Sequence, residues 1–483
     1  MKTEVDLDQI IADMQLPFQV APLQYYDAIT AYREGRYALF YDVGGGKTLV
    51  STLIAKLFDY PTVVMMPHIL IRQWERHLKR VRVPDSQVYV YYGPKRDKEA
   101  MRNAKWILTS HAIFRKDAEI FRAVFRGRKV TLLTDEAQAI KDIRTKLFKA
   151  VSMFIGVDNP WIPMSATPTA KPEDTYAYMK LKTPQIYRSM THWDSLHVAE
   201  RDFFGGIKAY RNIDLLRDNF ALKAAKRDKK DLFNYDDKLK PDLQPIPYEL
   251  DKKHTALYKR LVDDLLLELP NGEKIDGTTS QRLRHMMQQI VWNPERFTGD
   301  DSIKASGFEL LEQLCEEVDF MLPDPKLEVL QKKHRSKFVI WTYYQSTTEA
   351  IYRWMTERYG NTGVTAYGGS NSQKAVDAIM FDDNIRWMIA NPLSVGAGLE
   401  LQHVCWEMFF AEMVTTPIPN RQAFGRVDRP GQKFRPTIRF GQAIGTIQKS
   451  LFNDLLRNDE RAVYIERSRS SIREDLLGLV EES

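Results

Sequence analysis

One short segment, YALFYDVGGGKTLVS at residues 37–51, constrains the fold of this 483-residue chain more than any other. An apolar run precedes three consecutive glycines, and a helical pattern begins at Lys47 and Thr48. Glycines let the backbone turn tightly and aim its N–H groups at an anion, and a following helix adds its positive amino end. The segment therefore predicts a phosphate-binding loop, in which Lys47 reaches the β- and γ-phosphates and the Thr48 hydroxyl holds Mg²⁺. The residues assigned to the loop are Gly44, Gly45, Gly46, Lys47 and Thr48.

An acidic pair follows another apolar run. Val130–Thr134 predicts a strand, and Asp135 and Glu136 come directly after it. A phosphate-binding loop needs a carboxylate at the end of a neighbouring strand, so Asp135 is predicted to bind Mg²⁺. Glu136 is predicted to polarise the attacking water as a general base. An aspartate after a strand is also a common helix cap, but its position downstream of Lys47 favours the catalytic interpretation.

Short apolar runs alternate with helical patterns along most of the chain, which is typical of α/β proteins with parallel sheets. The strands predicted in the first half are Tyr37–Tyr41, Thr62–Met66, Trp106–Thr109, Val130–Thr134 and Trp161–Met164. Those predicted in the second half are Phe338–Thr342, Gly363–Ala366, Trp387–Ala390, Cys405–Phe410 and Thr437–Phe440.

Between these two sets of strands the chain is rich in Lys, Asp, Leu and Gln, with helical periodicity. A charged stretch, Lys223–Asp237, is interpreted as a connector and helical region. We therefore predict a first α/β domain over residues 1–225, a linker and helical region over 226–330, and a second α/β domain over 331–483.

The composition excludes several classes of protein. Two cysteines, Cys315 and Cys405, are too few for a disulfide framework and form no CxxC pair for zinc. No apolar run reaches the length of a membrane span, and the acidic start MKTEVDLDQIIADMQ lacks a signal-peptide core. We expect a cytoplasmic protein, and its net charge of +6 permits a polyanionic partner.

From the phosphate-binding loop onward, the chain resembles the superfamily-two helicases and translocases, in the Swi/Snf remodeller-like branch with its bacterial and phage members. A series of segments in the family's order carries the resemblance over nearly the whole chain. These segments are VVMMPHILIRQWERHL, WILTSHAIFRKD, DEAQAIKDIRTKLFKAV, MSATPTAKPEDTYAYM, LRHMMQQIVWNP, FVIWTYYQST, MIANPLSVGAGLELQ and NRQAFGRVDRPGQ.

The resemblance implies two RecA-like parallel-sheet domains that flank an ATP cleft, with a helical insertion between them. It implies an ATPase that uses ATP and Mg²⁺, with Gln422 in the catalytic site and Arg426 and Arg429 as arginine fingers. The two arginines lie three residues apart, so on a helix they would project from one face. The segment APLQYYDAI offers either Gln24 or Asp27 as the adenine-reading residue, and Gln24 is the candidate that we carry forward.

The acidic box departs from the family, because it reads Asp-Glu-Ala-Gln where His is usual. Gln138 is expected to donate a hydrogen bond across the cleft in place of that histidine.

The resemblance also implies a nucleic-acid track. Hydroxyls at or just after strand ends can hold phosphates without reading bases, and glycine allows the backbone to approach closely. Taken singly, each Ser or Thr is more often a helix cap, and Trp74 is interpreted as a packing residue rather than a base-stacking platform. The track residues carried over from the family are Thr109, Ser110, Ser165, Thr167, Ser394 and Gly396.

The predicted function is an ATP-dependent translocase or helicase that moves along DNA, with duplex favoured over single strands and RNA disfavoured. One alternative is a strand-separating or annealing helicase acting on forked or branched DNA. The other is a nucleotide-dependent binding module without hydrolysis, in which loss of Glu136 or Arg426 would be expected; both are present. The resemblance implies a minimal motor from the cytoplasm of a bacterium or a phage-infected host.

Overall fold

The chain divides into two compact units, Met1–Tyr235 and Asp236–Ser483. The computed structural model describes residues 4–16, 18–156, 158–169, 171–201, 206–233, 237–267, 277–295, 303, 305–321, 336–368, 371–395, 400–429, 431–457 and 477.

The first unit is built on a parallel sheet with the strand order β3-β4-β2-β5-β6. Strand β1 lies parallel beside β6 through the bridges Arg36–Trp161 and Leu39–Met164, and β9 pairs parallel with β1. An antiparallel pair, β7 and β8, is separate from this sheet. The strands are β1 (Ala38–Tyr41), β2 (Thr62–Met66), β3 (Val88–Val90), β4 (Trp106–Ser110), β5 (Thr131–Thr134), β6 (Trp161–Pro163), β7 (Val198–Arg201), β8 (Ile207–Tyr210) and β9 (Ala224–Arg227).

Helices connect most of these strands, as parallel pairing requires. They are α1 (Glu4–Met14), α2 (Pro22–Glu34), α3 (Lys47–Phe58), α4 (Ile71–Arg80), α5 (Lys98–Asn103), α6 (His111–Lys116), α7 (Ala118–Val124), α8 (Lys146–Ile155), α9 (Thr175–Lys182), α10 (Met190–His197), α11 (Ile213–Ala221) and α12 (Lys229–Leu232).

The second unit holds a six-stranded parallel sheet with the order β10-β15-β14-β11-β13-β12. Its strands are β10 (Asp242–Tyr248), β11 (Lys337–Trp341), β12 (Gly363–Ala366), β13 (Trp387–Ala390), β14 (Cys405–Phe410) and β15 (Thr437–Ala443). Its helices are α13 (Lys252–Leu267), α14 (Gly277–Trp292), α15 (Gly307–Val318), α16 (Gln345–Tyr359), α17 (Asn371–Phe381), α18 (Pro392–Val395), α19 (Pro417–Phe424) and α20 (Ile447–Arg457).

Every residue of β1, β2, β4 and β5 is buried, and the same holds for β11 and β13. Continuous apolar runs of this kind suit parallel strands that are covered on both faces. The predicted fold class, α/β with two parallel-sheet domains, is confirmed, and each predicted strand is present to within a few residues at its ends.

The charged region after the first sheet differs from the prediction. Lys223–Asp237 was predicted as a connector and helical region, but Ala224–Arg227 forms β9, at one end of the first sheet. Farther along, Asp242–Tyr248 forms β10, at the edge of the second sheet, despite Pro245 and Pro247. Edge strands tolerate charges and prolines because one side of the backbone has no neighbour to bond. The three-part division at 225 and 330 stays a prediction.

Within the described part of the chain, none of the helices combines the length and the apolar character that crossing a membrane requires.

Candidate functional site

The glycine-rich loop lies between β1 and α3, as its sequence predicts. Gly44 and Gly46 have φ values of +83° and +84°, a conformation that side chains other than glycine rarely adopt. A Cβ atom on Gly46 would lie 2.4 Å from Nε2 of Gln24. Gly46 is also the N-cap residue of α3. The glycines are therefore required by the turn itself and by the close approach of a neighbouring side chain.

Helix α2 contacts the loop through Gln24 and the end of β1 through Asp27, which lies one turn farther along the helix. The buried Gln24 donates from Nε2 to the Gly45 carbonyl over 2.8 Å, and its Oε1 accepts the N–H of Ala21. Asp27 is completely buried and accepts both the Tyr41 hydroxyl, at 2.7 Å, and the two-pronged Arg227 guanidinium. Gln24 thus reaches the loop, whereas Asp27 is committed to an internal ion pair.

Lys47 and Thr48 form the first turn of α3. The Lys47 ammonium donates to the carbonyls of Tyr41 and Asp42, at 2.9 and 3.1 Å, and so folds back over the loop. The Thr48 carbonyl accepts the hydroxyls of Ser51 and Thr52 at 3.0 and 2.7 Å. This places a cation above the loop glycines and next to the amino end of a twelve-residue helix, where a phosphate is most strongly attracted.

Asp135 and Glu136 stand at the carboxyl end of β5, next to β2 in the sheet. Burial and the charge of Glu136 raise the pKa of Asp135 to about 6, while a hydrogen bond from Trp74 and the charge of Lys47 oppose that shift. Glu136 has a φ of +50°, which is uncommon for a residue with a side chain. The strained backbone and the perturbed pKa are both features that cluster at functional sites.

A chain of hydrogen bonds runs from Glu136 to the segment after β6. Gln138 donates to Glu136 Oε2 at 2.8 Å and accepts the Ser165 hydroxyl at 2.7 Å; the Thr167 N–H donates to Ser165 Oγ at 3.0 Å. The expected hydrogen bond of Gln138 across the cleft stays a prediction, and within the first unit Gln138 bonds Glu136. A glutamine can do this because its amide offers both a donor and an acceptor.

Three further residues contact the acidic pair or the first turns of α3, and they were not predicted as site residues from the sequence. The buried Trp74 donates from its indole N–H to Asp135 Oδ2 at 2.9 Å, which confirms the packing interpretation and adds a polar role. His111 bonds the Asp135 carbonyl at 2.9 Å, and His77 bonds Thr52 Oγ1 at 3.0 Å. Burial lowers the pKa of His111 to about 4 and that of His77 to about 3, so both rings are neutral near pH 7. In the sequence, the only indication of a role at the site was that His77 lies three residues after Trp74 and that His111 directly follows Ser110.

Two track candidates are buried in the first unit. The Thr109 hydroxyl is completely buried and has no hydrogen-bond partner among the described residues. Ser110 caps α6 by accepting the N–H of Ile113 at 3.2 Å. Contacts of these two hydroxyls with a nucleic-acid phosphate stay a prediction, and the capping role of Ser110 is the one that the structure gives it.

The arginines of the second unit lie beyond a helix rather than on one. Helix α19 ends at Phe424, because Gly425 has a low helix propensity. The prediction that Arg426 and Arg429 share a helix face is therefore wrong. Arg426 is 4% exposed and donates from Nε to the Gln422 carbonyl at 2.8 Å, and Arg429 donates to the Gly425 carbonyl at 3.3 Å.

Ser394 and, in the segment after the arginines, Gln432 have structural partners. Ser394, at the end of α18, accepts the N–H of Gly368 at 3.1 Å. Gln432 donates to the carbonyls of Cys405 and Val427 and accepts two N–H groups, so it fixes the turn that follows the arginines. Gly396 lies outside the described residues.

The donor set at the first-unit site fits Mg²⁺. Thr48 supplies a hydroxyl and Asp135 a carboxylate, and Mg²⁺ prefers oxygen ligands, taking one or two from the protein and the rest from phosphates and water. The charge of Lys47 lowers the pKa of Asp135, so the loop lysine and the carboxylate lie close enough to interact, as binding of one metal–phosphate group would require.

A parallel sheet with a glycine-rich loop and an acidic pair at its carboxyl edge defines a phosphate-loop nucleotide-binding protein. A family model described as the SNF2-related domain matches residues 18–297. This is more than half of the chain, and the chain therefore belongs to the SNF2-related domain family. The resemblance to the Swi/Snf branch inferred from the sequence is thereby confirmed, whereas a bacterial or phage origin stays a prediction.

Individual relatives are distant. The chromatin remodeling factor mit1 of Schizosaccharomyces pombe is 26% identical over 152 residues, which cover 28% of this chain and 11% of that protein. The SWI2/SNF2 ATPase core of Sulfolobus solfataricus in complex with dsDNA is 18% identical, with a TM-score of 0.40 and coverage of 96% and 97%. The Hef helicase domain of Pyrococcus furiosus is 16% identical, with a TM-score of 0.47 and coverage of 90% and 99%.

Proposed function

We propose that this chain is an ATP-dependent DNA translocase that couples ATP hydrolysis to movement along duplex DNA. The observation that carries the proposal is the hydrogen-bonded cluster at the carboxyl edge of the first sheet. There Lys47, Asp135 and Glu136 stand together, and Gln138 connects Glu136 to Ser165. Membership of the SNF2-related family supports ATP as the nucleotide.

The first unit supplies the groups that position and activate the reactants. The loop N–H groups and Lys47 would bind the β- and γ-phosphates, since phosphoryl transfer depends mainly on positioning and charge neutralisation. Glu136 would orient the attacking water and take its proton. Gln24, which is fixed beside the loop, is the candidate for reading the adenine ring.

Thr48 and Asp135 would hold Mg²⁺ in this site. The ion would supply charge neutralisation on the β- and γ-phosphates. Asp135 would contribute to its binding with a carboxylate already oriented by hydrogen bonds to both oxygens, from the Trp74 indole and the Glu136 N–H.

We propose that Arg426 and Arg429 complete the reaction as arginine fingers, with Gln422 beside them. A planar guanidinium pairs with phosphate oxygens and stays charged at all relevant pH values. The Gln422 carbonyl and the Gly425 carbonyl hold the Nε atoms of Arg426 and Arg429. The terminal nitrogens of a guanidinium are the groups that would pair with the charge that develops on the phosphate in the transition state.

The chain from Glu136 through Gln138 to Ser165 and Thr167 supports coupling of hydrolysis to the track. A displacement of Glu136 on hydrolysis would be passed through Gln138 to the segment after β6, where the family's track residues lie. A change at the γ-phosphate could thereby alter the grip on DNA.

A basic surface supports a polyanionic track. The exposed side of α4 carries Arg72, Arg76, Lys79 and Arg80, and the whole chain has a net charge of +6. Contacts between such side chains and phosphates are independent of base sequence and weaken as salt rises.

ATP hydrolysis rates measured side by side with blunt duplex DNA, single-stranded DNA, forked DNA and RNA test this proposal. Duplex should stimulate hydrolysis most, without dependence on sequence, and RNA least. Stimulation by single-stranded or forked DNA alone would favour the strand-separating helicase. Nucleotide binding without hydrolysis in any arm would favour the binding module.

A further inference from the structure

We propose that Trp74 is a positioning residue for the Mg²⁺–nucleotide site, acting through its indole N–H on the carboxylate of Asp135. The inference rests on the proposed function, because it assigns a role toward the metal that Asp135 would bind. Its observation is independent of the loop: a tryptophan that is 1% exposed places its one polar atom on the acidic pair at 2.9 Å.

Both carboxylate oxygens of Asp135 accept a hydrogen bond. Oδ2 accepts the Trp74 indole, and Oδ1 accepts the N–H of Glu136 at 3.0 Å. The carbonyl of Asp135 accepts the N–H of His111 at 2.9 Å. A carboxylate bonded at both oxygens, on a residue whose backbone carbonyl is also held, has its remaining lone pairs aimed in a set direction, which is how outer partners tune a metal ligand.

The same helix also reaches the other predicted metal ligand. His77 lies three residues after Trp74, on the same side of α4, and bonds Thr52 Oγ1 at 3.0 Å. The Thr52 hydroxyl donates its single proton to the Thr48 carbonyl at 2.7 Å, so the His77 ring supplies the proton of its own bond. The inner side of α4 thus connects the end of β5 with the first turn of α3.

The two aromatic rings form one block. Trp74 and His77 pack edge to face with their centroids 5.7 Å apart, and burial keeps the His77 ring neutral. Neutral donors hold a carboxylate in place without competing with Mg²⁺ for it as a lysine or an arginine would. Apolar packing alone would be met by phenylalanine, and it would not require a donor at this position.

Replacing Trp74 by Phe tests the donor while an aromatic ring stays in place. The measurement is binding of a fluorescent ATP analogue to the full chain over a range of Mg²⁺ concentrations, with thermal unfolding of each variant recorded. Trp106→Phe is the matched control. Trp106 is 3% exposed, begins the neighbouring strand β4, and loses the same ring volume.

We expect Trp74→Phe to raise the Mg²⁺ concentration for half-maximal binding by about tenfold, the lower end of the range for lost outer partners. Trp106→Phe should lower the unfolding temperature without moving that concentration. Equal Mg²⁺ midpoints for Trp74→Phe and wild type would overturn the proposal and leave Trp74 as a packing residue.

A second pair of variants tests the other connection that α4 makes to the site, from His77 through Thr52 to Thr48. Thr52→Val removes the hydroxyl between His77 and Thr48, and Thr52→Ser restores it. We expect a raised Mg²⁺ midpoint for Thr52→Val and the wild-type value for Thr52→Ser; identical midpoints for the two would overturn the link. If wild type bound the analogue equally with and without Mg²⁺, the proposed function would fail first, and the inference with it.

Discussion

Each unit of this protein buries a carboxylate just beyond the end of a central strand, and the two carboxylates have different surroundings. Asp135 directly follows β5 and is 9% exposed; Glu412 follows β14 by two residues and is 1% exposed. Burial is the first cause of a raised pKa at both, to about 6 for Asp135 and about 7 for Glu412.

The two carboxylates differ in the groups that surround them. Asp135 stands beside the anion of Glu136 and near the cation of Lys47. Glu412 accepts two backbone N–H groups, from Tyr343 and Tyr344, and the Thr347 hydroxyl at 2.6 Å. These donors lie just before and within the first turn of α16, so Glu412 joins β14 to the start of that helix.

The same place in a parallel sheet therefore serves two purposes. In the first unit it gathers charged groups around the loop, which is the arrangement that phosphoryl transfer requires. In the second unit it stabilises a strand–helix connection. A role in chemistry for the second unit rests instead on the segment from Gln422 to Arg429.

The largest expected effect is on the first unit. Lys47→Ala should abolish ATP hydrolysis, because it removes the cation that binds the β- and γ-phosphates. The steady-state ATPase rate checks this, with Lys129→Ala as the control. Lys129 is exposed and precedes β5 at the opposite end from Asp135. Near wild-type turnover in Lys47→Ala would show that the loop is not a nucleotide site.

The substitutions Arg426→Ala and Arg429→Ala test whether the second unit takes part in ATP hydrolysis. Each should lower kcat by up to about 10³-fold, the scale of an arginine finger, and change ATP affinity less, because a finger acts mainly in the transition state. Arg435→Ala is the control in the same segment, since that side chain is 58% exposed and pairs with Asp242.

A loss of DNA affinity with DNA-independent hydrolysis intact would assign these arginines to the track. Arg426→Lys separates charge from geometry. It keeps a cation but loses the planar fork, so partial activity would indicate that charge is the main contribution.

Glu136→Gln should reduce turnover by about 10²-fold or more, as expected for loss of a catalytic base, while ATP still binds. The substitution keeps an oxygen to accept the Gln138 amide, so the chain to Ser165 is retained. Turnover and nucleotide affinity are measured together, with the exposed Glu119→Gln as the control. Weakened ATP binding in a stably folded Glu136→Gln protein would mean that Glu136 is structural.

The smallest effect belongs to Glu412, and it concerns stability rather than turnover. Its folded-state pKa lies above its ordinary value of 4.5, so the folded chain binds the proton more tightly. The stability from this group is full below pH 4.5 and is lost as pH rises through about 7. The total is on the order of 3 kcal/mol.

Glu412→Gln removes that titration. Denaturant unfolding between pH 5 and 8 should give a shallower loss of stability with rising pH in the variant than in wild type, and ATP hydrolysis at a fixed pH should be retained. Parallel pH profiles would show that Glu412 does not titrate in this range. Loss of hydrolysis in a folded variant would break the contrast between the two carboxylates.

The sequence was sufficient to predict the central strands of both sheets and the phosphate-binding loop. Buried parallel strands appear as apolar runs, so strands such as Thr62–Met66 and Cys405–Phe410 were predicted with their observed limits. The edge strands β9 and β10 were not predicted, because they carry the charges and prolines that edges accept.

Site geometry was predictable only where one segment contains it. The residues of the loop are consecutive in sequence, and so are the two residues of the acidic pair. The partners of Asp135, by contrast, come from α4 and from the residue after β4, 61 and 24 positions away. The ion pair that occupies Asp27, and so favours Gln24 as the candidate, is made by Arg227, which is 200 positions from Asp27. The helix assigned to Arg426 failed because a spacing of three residues does not reveal that the helix has already ended.

The most direct test of ATP-dependent movement along duplex DNA is displacement of a third strand from a blunt duplex. We expect the wild-type protein, with ATP and Mg²⁺, to release the third strand without unwinding the duplex, and Glu136→Gln not to release it. A parallel assay on a forked substrate records any strand separation. Stimulation of hydrolysis by single strands alone, with no third-strand release, would contradict movement along duplex DNA.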